Sequence, residues 1–247
     1  MLSVVIPVYN EEAVLEKTAS VIRSVLSEAA IACELIFVDD GSGDATWEKI
    51  TALSASGGGV RGLHFSRNFG KEAAILAGLS AAKGECCVVI DGDLQHPPEK
   101  IVEMYRLWEQ GYEIVEGQKS SRGTESHAHG LAARAFYSLI SRATGIDMAN
   151  ASDFKLLDRK AVNVLINMRE RNAFFRALSS WIGFKTASIP FDVQERAGGS
   201  SKWSTAALAK YAVDNIASFS AAPMQIVTVL GGIMLLVALV FGTIALV

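Results

Sequence analysis

Asp91-Gly92-Asp93-Leu94-Gln95 follows Cys86–Ile90, an apolar run with the pattern of a buried strand. Two carboxylates at i and i+2 with glycine between them can converge on a hard divalent cation such as Mg2+ or Mn2+. Such cations take oxygen ligands and bridge readily to a diphosphate. Exposed turns often produce a lone D-x-D; its place at the end of a buried strand gives this one weight. Asp39-Asp40 closes a second apolar run, Leu35–Val38, in the same way. Acidic residues at strand ends accept from a nucleobase N–H or a ribose hydroxyl; a helix N-cap is the competing role for Asp40, Ser42 or Asp44. Arg67, Asn68 and Lys71 open a helix after a third run, where cations and helix N–H groups suit an anion. A solvated face is the alternative for Lys71.

These groups need a scaffold that brings strand ends together. Leu2–Val8, Leu35–Val38, Gly62–Phe65 and Cys86–Ile90 are apolar β-rich runs. Between them Glu12–Leu26, Asp44–Leu53 and Lys71–Ala82 carry helical spacing, the first starting at Asn10-Glu11-Glu12. Continuous apolar strands alternating with amphipathic helices predict a mostly parallel sheet covered on both faces, Rossmann-like, with ligands at its C-terminal edge. Further on, Lys119–His129 reads as a mobile polar loop, Gly130–Thr144 as a helix, Ser152–Leu157 as a strand, Arg159–Met168 as a helix and Lys185–Val193 as a strand. Glu195–Lys202 is a glycine-rich loop. Neither G-x-G-x-x-G after the first strand nor G-x-x-x-x-G-K-[ST] occurs, which disfavours a dinucleotide oxidoreductase and a P-loop NTPase.

The chain of 247 residues is half hydrophobic, with a mean hydropathy of +0.28. The excess is concentrated in residues 224–247, which hold no charge. At 1.5 Å rise per residue those positions span about 36 Å, enough to cross a ~30 Å hydrocarbon core. Ser204–Phe219 is an amphipathic pattern with Leu208, Tyr211, Ile216 and Phe219 on one side, predicting a helix in the membrane interface, with packing on the catalytic body as the alternative. The expected organisation is a body over 1–203, an interface helix over 204–222 and a membrane helix over 223–247. Residues 1–118 carry 9 Lys and Arg against 18 Asp and Glu, whereas 119–247 carry 14 against 8. The basic half adjoins the span, as expected for a cytoplasmic body facing anionic headgroups. No signal-peptide pattern follows Met1, which also points to the cytoplasmic side. Cys33, Cys86 and Cys87 are expected to be reduced core thiols.

Pro7-Val8-Tyr9-Asn10-Glu11-Glu12, Val38-Asp39-Asp40-Gly41-Ser42, Arg67-Asn68-Phe69-Gly70-Lys71 and Asp91-Gly92-Asp93-Leu94-Gln95-His96-Pro97-Pro98 together resemble family 2 glycosyltransferases of the GT-A fold. Asp153-Phe154-Lys155-Leu156-Leu157-Asp158-Arg159 and Arg196…Ser200-Ser201-Lys202-Trp203 extend the resemblance to the polyprenyl-phosphate group, similar to GtrB and dolichol-phosphate mannose synthase. The resemblance implies a nucleotide diphosphate-sugar donor, UDP-linked, a polyprenyl phosphate acceptor, inversion at the anomeric carbon and a Mg2+ or Mn2+ cofactor. It places Pro7, Tyr9, Glu11 and Asp39 at the nucleoside and Asp91 against the donor. Asp93 and Gln95 would hold the metal, and Arg196 and Lys202 the donor diphosphate, alongside the anion-facing Lys71. Lys119 and Arg122 would meet the acceptor phosphate from the mobile loop, and Asp153 would stand near the reaction centre. Catalysis would then rest on Asp91, Asp93 and Asp153. The group commonly has two or more spans and often assembles through them, so the span here is expected to belong to a longer membrane region of a homo-oligomer. Two other readings compete: a family 2 transferase with a saccharide acceptor, whose processive members carry a Q-x-x-R-W motif not found here, and a non-catalytic membrane module that binds nucleotide-sugar. Nothing in the pattern points to nucleic acid.

Overall fold

The computed structural model describes residues 1–120, 152–168, 175–194 and 222–246. Within them the strands are β1 (Leu2–Val8), β2 (Cys33–Asp39), β3 (Val60–His64), β4 (Cys86–Val89), β5 (Ile114–Lys119), β6 (Lys155–Asp158) and β7 (Thr186–Phe191). The helices are α1 (Leu15–Glu28), α2 (Thr46–Ala55), α3 (Lys71–Ala81), α4 (Glu99–Glu109), α5 (Arg159–Asn167), α6 (Phe175–Trp181) and α7 (Ala222–Leu246). The strands form one sheet in the order β3-β2-β1-β4-β6-β5-β7. β6 runs antiparallel to both neighbours, while the other pairings are parallel.

Alternation along each strand explains why the strands read as continuous apolar runs. Leu2, Val4, Ile6 and Val8 of β1 face α1 and α4, packing with Ile22, Leu26, Ile101 and Met104. Val5 faces the other side, with Val38, Val89, Ile75 and Leu79 of α3 and Val162 and Leu165 of α5. Both faces are therefore dry, as a sheet of this kind requires. Cys86 and Cys87 are buried free thiols within β4, as the sequence predicts. Gly78 lets α3 approach closely: a Cβ there would lie 2.3 Å from Val5 Cγ1 and 3.1 Å from Val38 Cγ2.

Three expectations change. The strand predicted at Ser152–Leu157 is present as β6, but its reversal was not foreseen, and neither were α4, β5 and α6. α1 starts at Leu15 rather than Glu12: the N–H groups of Asn10, Glu11 and Glu12 and the side chains of Asn10 and Glu12 bond to residues 42–46. Lys119 ends β5, in register with Phe191 of β7, so it belongs to a strand and not to a loop. The predicted helix at 130–144 and the interface helix at 204–221 lie outside the described residues.

α7 is 25 residues long, about 37 Å at 1.5 Å per residue. Its apolar window Val227–Ile244 is not buried against the rest of the protein, and it is the one helix among the described residues long and apolar enough to cross a membrane. Gly78→Val should destabilise the fold by about 1–3 kcal/mol, the usual cost of overpacking a tight interface. Urea unfolding of the variant beside the wild type measures it.

Candidate active site

The C-terminal edge of the sheet gathers the loops after β1 and β2 and binds them to each other. Asn10 adopts φ 53°, a left-handed conformation that asparagine tolerates better than most residues. Its side-chain Oδ1 accepts from the Gly43 N–H at 2.8 Å, and its own N–H donates to Ser42 Oγ at 2.8 Å. The Glu11 N–H donates to Thr46 Oγ1 and Glu12 Oε2 accepts from the Ala45 N–H. Pro7 sits on β1, and Tyr9 just beyond it is 40% exposed, open to a ligand. Asp39 is fully buried and engaged on both oxygens: Ser42 N–H and Oγ–H donate to Oδ1, and His64 Nδ1 lies 2.8 Å from Oδ2. His64 in turn stacks on Trp47. Asp39 thus braces the loop after β2.

Asp40 is no helix cap. It accepts from the Phe69 N–H at 2.7 Å and the Gly70 N–H at 2.9 Å, pinning the loop that leads into α3. Burial raises its pKa against those two bonds. Asp44 accepts from the N–H and hydroxyl of Thr46, at the start of α2.

Lys71, the first residue of α3, lies at the centre of the site. Its Nζ is 2.6 Å from Asp91 Oδ1 and 2.8 Å from Asp153 Oδ2. The reversal of β6 makes this possible. Val89 pairs with Lys155 in the antiparallel ladder, and two residues further the same register sets Asp91 across from Asp153. Lys71 closes the gap between them. Arg176 of α6 reaches the same carboxylate, Nε to Oδ1 at 3.2 Å and Nη2 to Oδ2 at 3.1 Å. Burial pushes Asp153 up, but Lys71 and Arg176 outweigh it and hold the carboxyl well below the usual range. Lys71 is raised in turn, because Asp153 and Asp91 overcome its desolvation. Asp91 is lowered by Lys71 and His96 against burial. Glu72, beside this cluster, accepts from the Phe175 N–H at 2.8 Å; burial and the Asp153 charge push it up to about 7.

The turn after β4 has the donor set of a hard-cation site. Leu94 takes φ 58°, folding the chain so that the Gln95 N–H donates to Asp93 Oδ1 at 3.0 Å. Asp91, Asp93 and Gln95 present carboxylate and carboxamide oxygens. His96, stacked on Phe154, has a buried Nδ1 with no hydrogen-bond partner, 3.9 Å from Asp91 Oδ2. An orphaned buried nitrogen facing a carboxylate fits a site completed by an added group. Among the described residues no three His, Cys, Asp or Glu side chains form a ready-made metal cage.

The structure thus brings together Lys71, Asp91 and Asp153, with Asp93 and Gln95 on the adjoining turn, and places Pro7, Tyr9, Glu11 and Asp39 at the neighbouring strand ends. Lys119 stands exposed at the end of β5. Arg122, Arg196 and Lys202 lie outside the described residues. Sequence reading missed Glu72, His96 and Arg176 as parts of the site. For Arg176 the available signal was one charge inside the apolar run from Phe174 to Leu178.

A Rossmann-like sheet with a D-x-D turn and an interlocked pair of loops at its C-terminal edge defines a GT-A glycosyltransferase. The chain belongs to glycosyl transferase family 2, whose family model matches residues 3–166. It is 39% identical over 243 residues to an uncharacterised glycosyltransferase of Synechocystis sp., covering 98% of this chain and 76% of that protein. It is 36% identical to a prophage bactoprenol glucosyl transferase homolog of Escherichia coli, covering 98% and 79% of the two chains. To a bactoprenol glucosyl transferase of Shigella phage SfV it is 34% identical, with the same coverage. Among solved structures, glucosyl-3-phosphoglycerate synthase from Mycobacterium tuberculosis, in complex with Mn2+, UDP-glucose and phosphoglyceric acid, shares the fold. Its TM-score is 0.60 at 21% identity, over 88% of this chain and 78% of that one.

The raised Glu72 gives a pH signature. A carboxyl whose folded pKa lies above its unfolded value contributes stability present below the unfolded pKa and lost as pH rises through the folded one. The window runs from 4.5 to about 7. Melting temperatures across it should show Glu72→Gln, which still accepts from Phe175, losing less stability on the alkaline side than the wild type.

Proposed function

We propose that this chain transfers a hexose-type sugar from a nucleotide diphosphate-sugar, UDP-linked, to a polyprenyl phosphate, giving a polyprenyl-phosphate sugar at the cytoplasmic membrane face. One observation carries the reading: Asp91 and Asp153 meet at the sheet edge beside the cation turn and next to the nucleotide-side loops. The acceptor class is supported by the relatives named bactoprenol glucosyl transferase, whose match covers 98% of the chain and so includes the apolar helix α7. The UDP-linked donor is supported by the UDP-glucose complex of the structural neighbour.

In this reading Pro7, Tyr9 and Glu11 line the nucleoside pocket, with Asp39 bracing it. Asp93 and Gln95 hold Mg2+ or Mn2+, which when bound neutralises charge on the departing diphosphate. Arg196 and Lys202 add cations to the same leaving group. Gln194, whose N–H donates to the Gln95 carbonyl at 3.0 Å, ties the chain to the cation turn two residues ahead of Arg196. Lys119 and Arg122 receive the acceptor phosphate.

A phosphate monoester has a second pKa of about 6, so the acceptor arrives largely dianionic and needs no strong base. One of its oxygens attacks the anomeric carbon. The bond from that carbon to the β-phosphate oxygen breaks, the nucleoside diphosphate leaves with the electron pair, and the configuration inverts. Asp153, held ionised by Lys71 and Arg176, is a poor proton acceptor and orients the substrates.

The proposed division of the chain is a catalytic body over 1–203, an interface helix over 204–222 and a membrane helix from 223, with assembly through membrane helices. Incubating the purified protein with undecaprenyl phosphate, Mg2+ or Mn2+ and a panel of nucleotide-sugars should yield one new glycolipid, seen by mass spectrometry. Transfer only to a free saccharide would overturn the acceptor assignment. Asp93→Ala should lower kcat by at least about 100-fold, the scale of losing charge stabilisation at the leaving group. Excess EDTA should do the same to the wild type, and normal turnover in either case would remove the cation assignment.

A further inference from the structure

Arg176 belongs to none of the groups assigned above to donor, cation or acceptor. Its guanidinium nevertheless grips both oxygens of Asp153, which is 8% exposed. Lys71 holds Oδ2 from the other side at 2.8 Å. A single ammonium fixes a carboxylate's position but leaves its plane free to turn. A planar fork with two N–H···O bonds fixes the plane as well.

The helix carrying the fork is itself held in place. Lys155, fully buried on β6 two residues after Asp153, directs its Nζ to Glu116 Oε1 at 2.5 Å, Ser179 Oγ at 2.8 Å and Ser180 Oγ at 3.1 Å. The same ammonium lies 3.2 Å from the carbonyl of Arg176. Ser180 Oγ also donates to Glu116 at 2.9 Å. At the start of α6 the Phe175 N–H donates to Glu72, the neighbour of Lys71. α6 is therefore fastened to β6, the strand that Asp153 leads into, and to the helix that carries Lys71. A buried ion pair such as Lys155–Glu116 is costly to desolvate and rarely improves stability over apolar packing. Placement of α6 gives it a purpose.

We infer that Arg176 is a positioning residue for the transfer reaction: its guanidinium sets the plane of the Asp153 carboxylate, and the Lys155–Glu116 pair sets Arg176. The inference rests on the proposed reading of the site. Glycolipid formation by the wild type from UDP-glucose and undecaprenyl phosphate with Mn2+ checks that reading separately.

With the full chain, Arg176→Ala should lower kcat about 100-fold, the cost of a small misplacement at a reacting centre. The KM for UDP-glucose should stay within about threefold, since the lost contact orients a group rather than binding the donor. Added guanidinium should restore part of kcat in Arg176→Ala but none in the Arg176→Ala/Asp153→Ala double variant. Arg176→Lys, which keeps the charge without the fork, should remain well below wild type. Wild-type kcat in Arg176→Ala or Arg176→Lys, or a kcat loss that guanidinium does not restore, would overturn the inference. A thermal double-mutant cycle with Arg176→Ala and Asp153→Asn decides the coupling without turnover: non-additive shifts in Tm support the clamp, and additive shifts reject it.

Discussion

The structure depends on one ammonium group shared by two carboxylates. Lys71 opens α3, where the helix dipole disfavours a cation, and its surroundings are partly desolvated as well. Contacts of 2.6 and 2.8 Å to Asp91 and Asp153 outweigh both penalties. Without Lys71 the two carboxylates would repel across the β4–β6 ladder. With it, a helix from one face of the sheet and the ends of two opposed strands become one unit. The loop after β2 meets that unit through Asp40, which pins the loop entering α3.

This charge arrangement also separates the roles of the acidic residues. Asp153 is kept ionised by two cations, so its value lies in direction and charge. Glu72, close by but more weakly compensated, carries the raised pKa. Asp93 sits on the next turn, bonded to its own backbone neighbour Gln95, where oxygen donors suited to a cation collect. Environment, more than residue type, distinguishes these three carboxylates.

The first four strands and three helices were legible in the sequence because their apolar runs are continuous and each ends in a residue of unmistakable chemistry. Asp91, Asp93 and Asp39 could be placed at strand ends for the same reason. The pairing of Asp91 with Asp153 was not legible, because it depends on β6 entering the sheet reversed between β4 and β5. Such long-range pairing leaves no local trace. Lys119 was misassigned for a related cause: a polar strand end and a polar loop have one composition, and only the register with Phe191 separates them. Asn10, Glu11 and Glu12 looked like a helix start, yet their hydrogen bonds go across to residues 42 to 46.

That crosswise bonding affects how this edge of the sheet can change. The segment after β1 and the segment after β2 hold each other's backbone through five hydrogen bonds, and neither has its observed shape alone. Substituting one without the other leaves backbone N–H donors without their side-chain acceptors. A change of shape at this edge of the sheet therefore has to be introduced in both segments at once, as a matched pair inherited or engineered together.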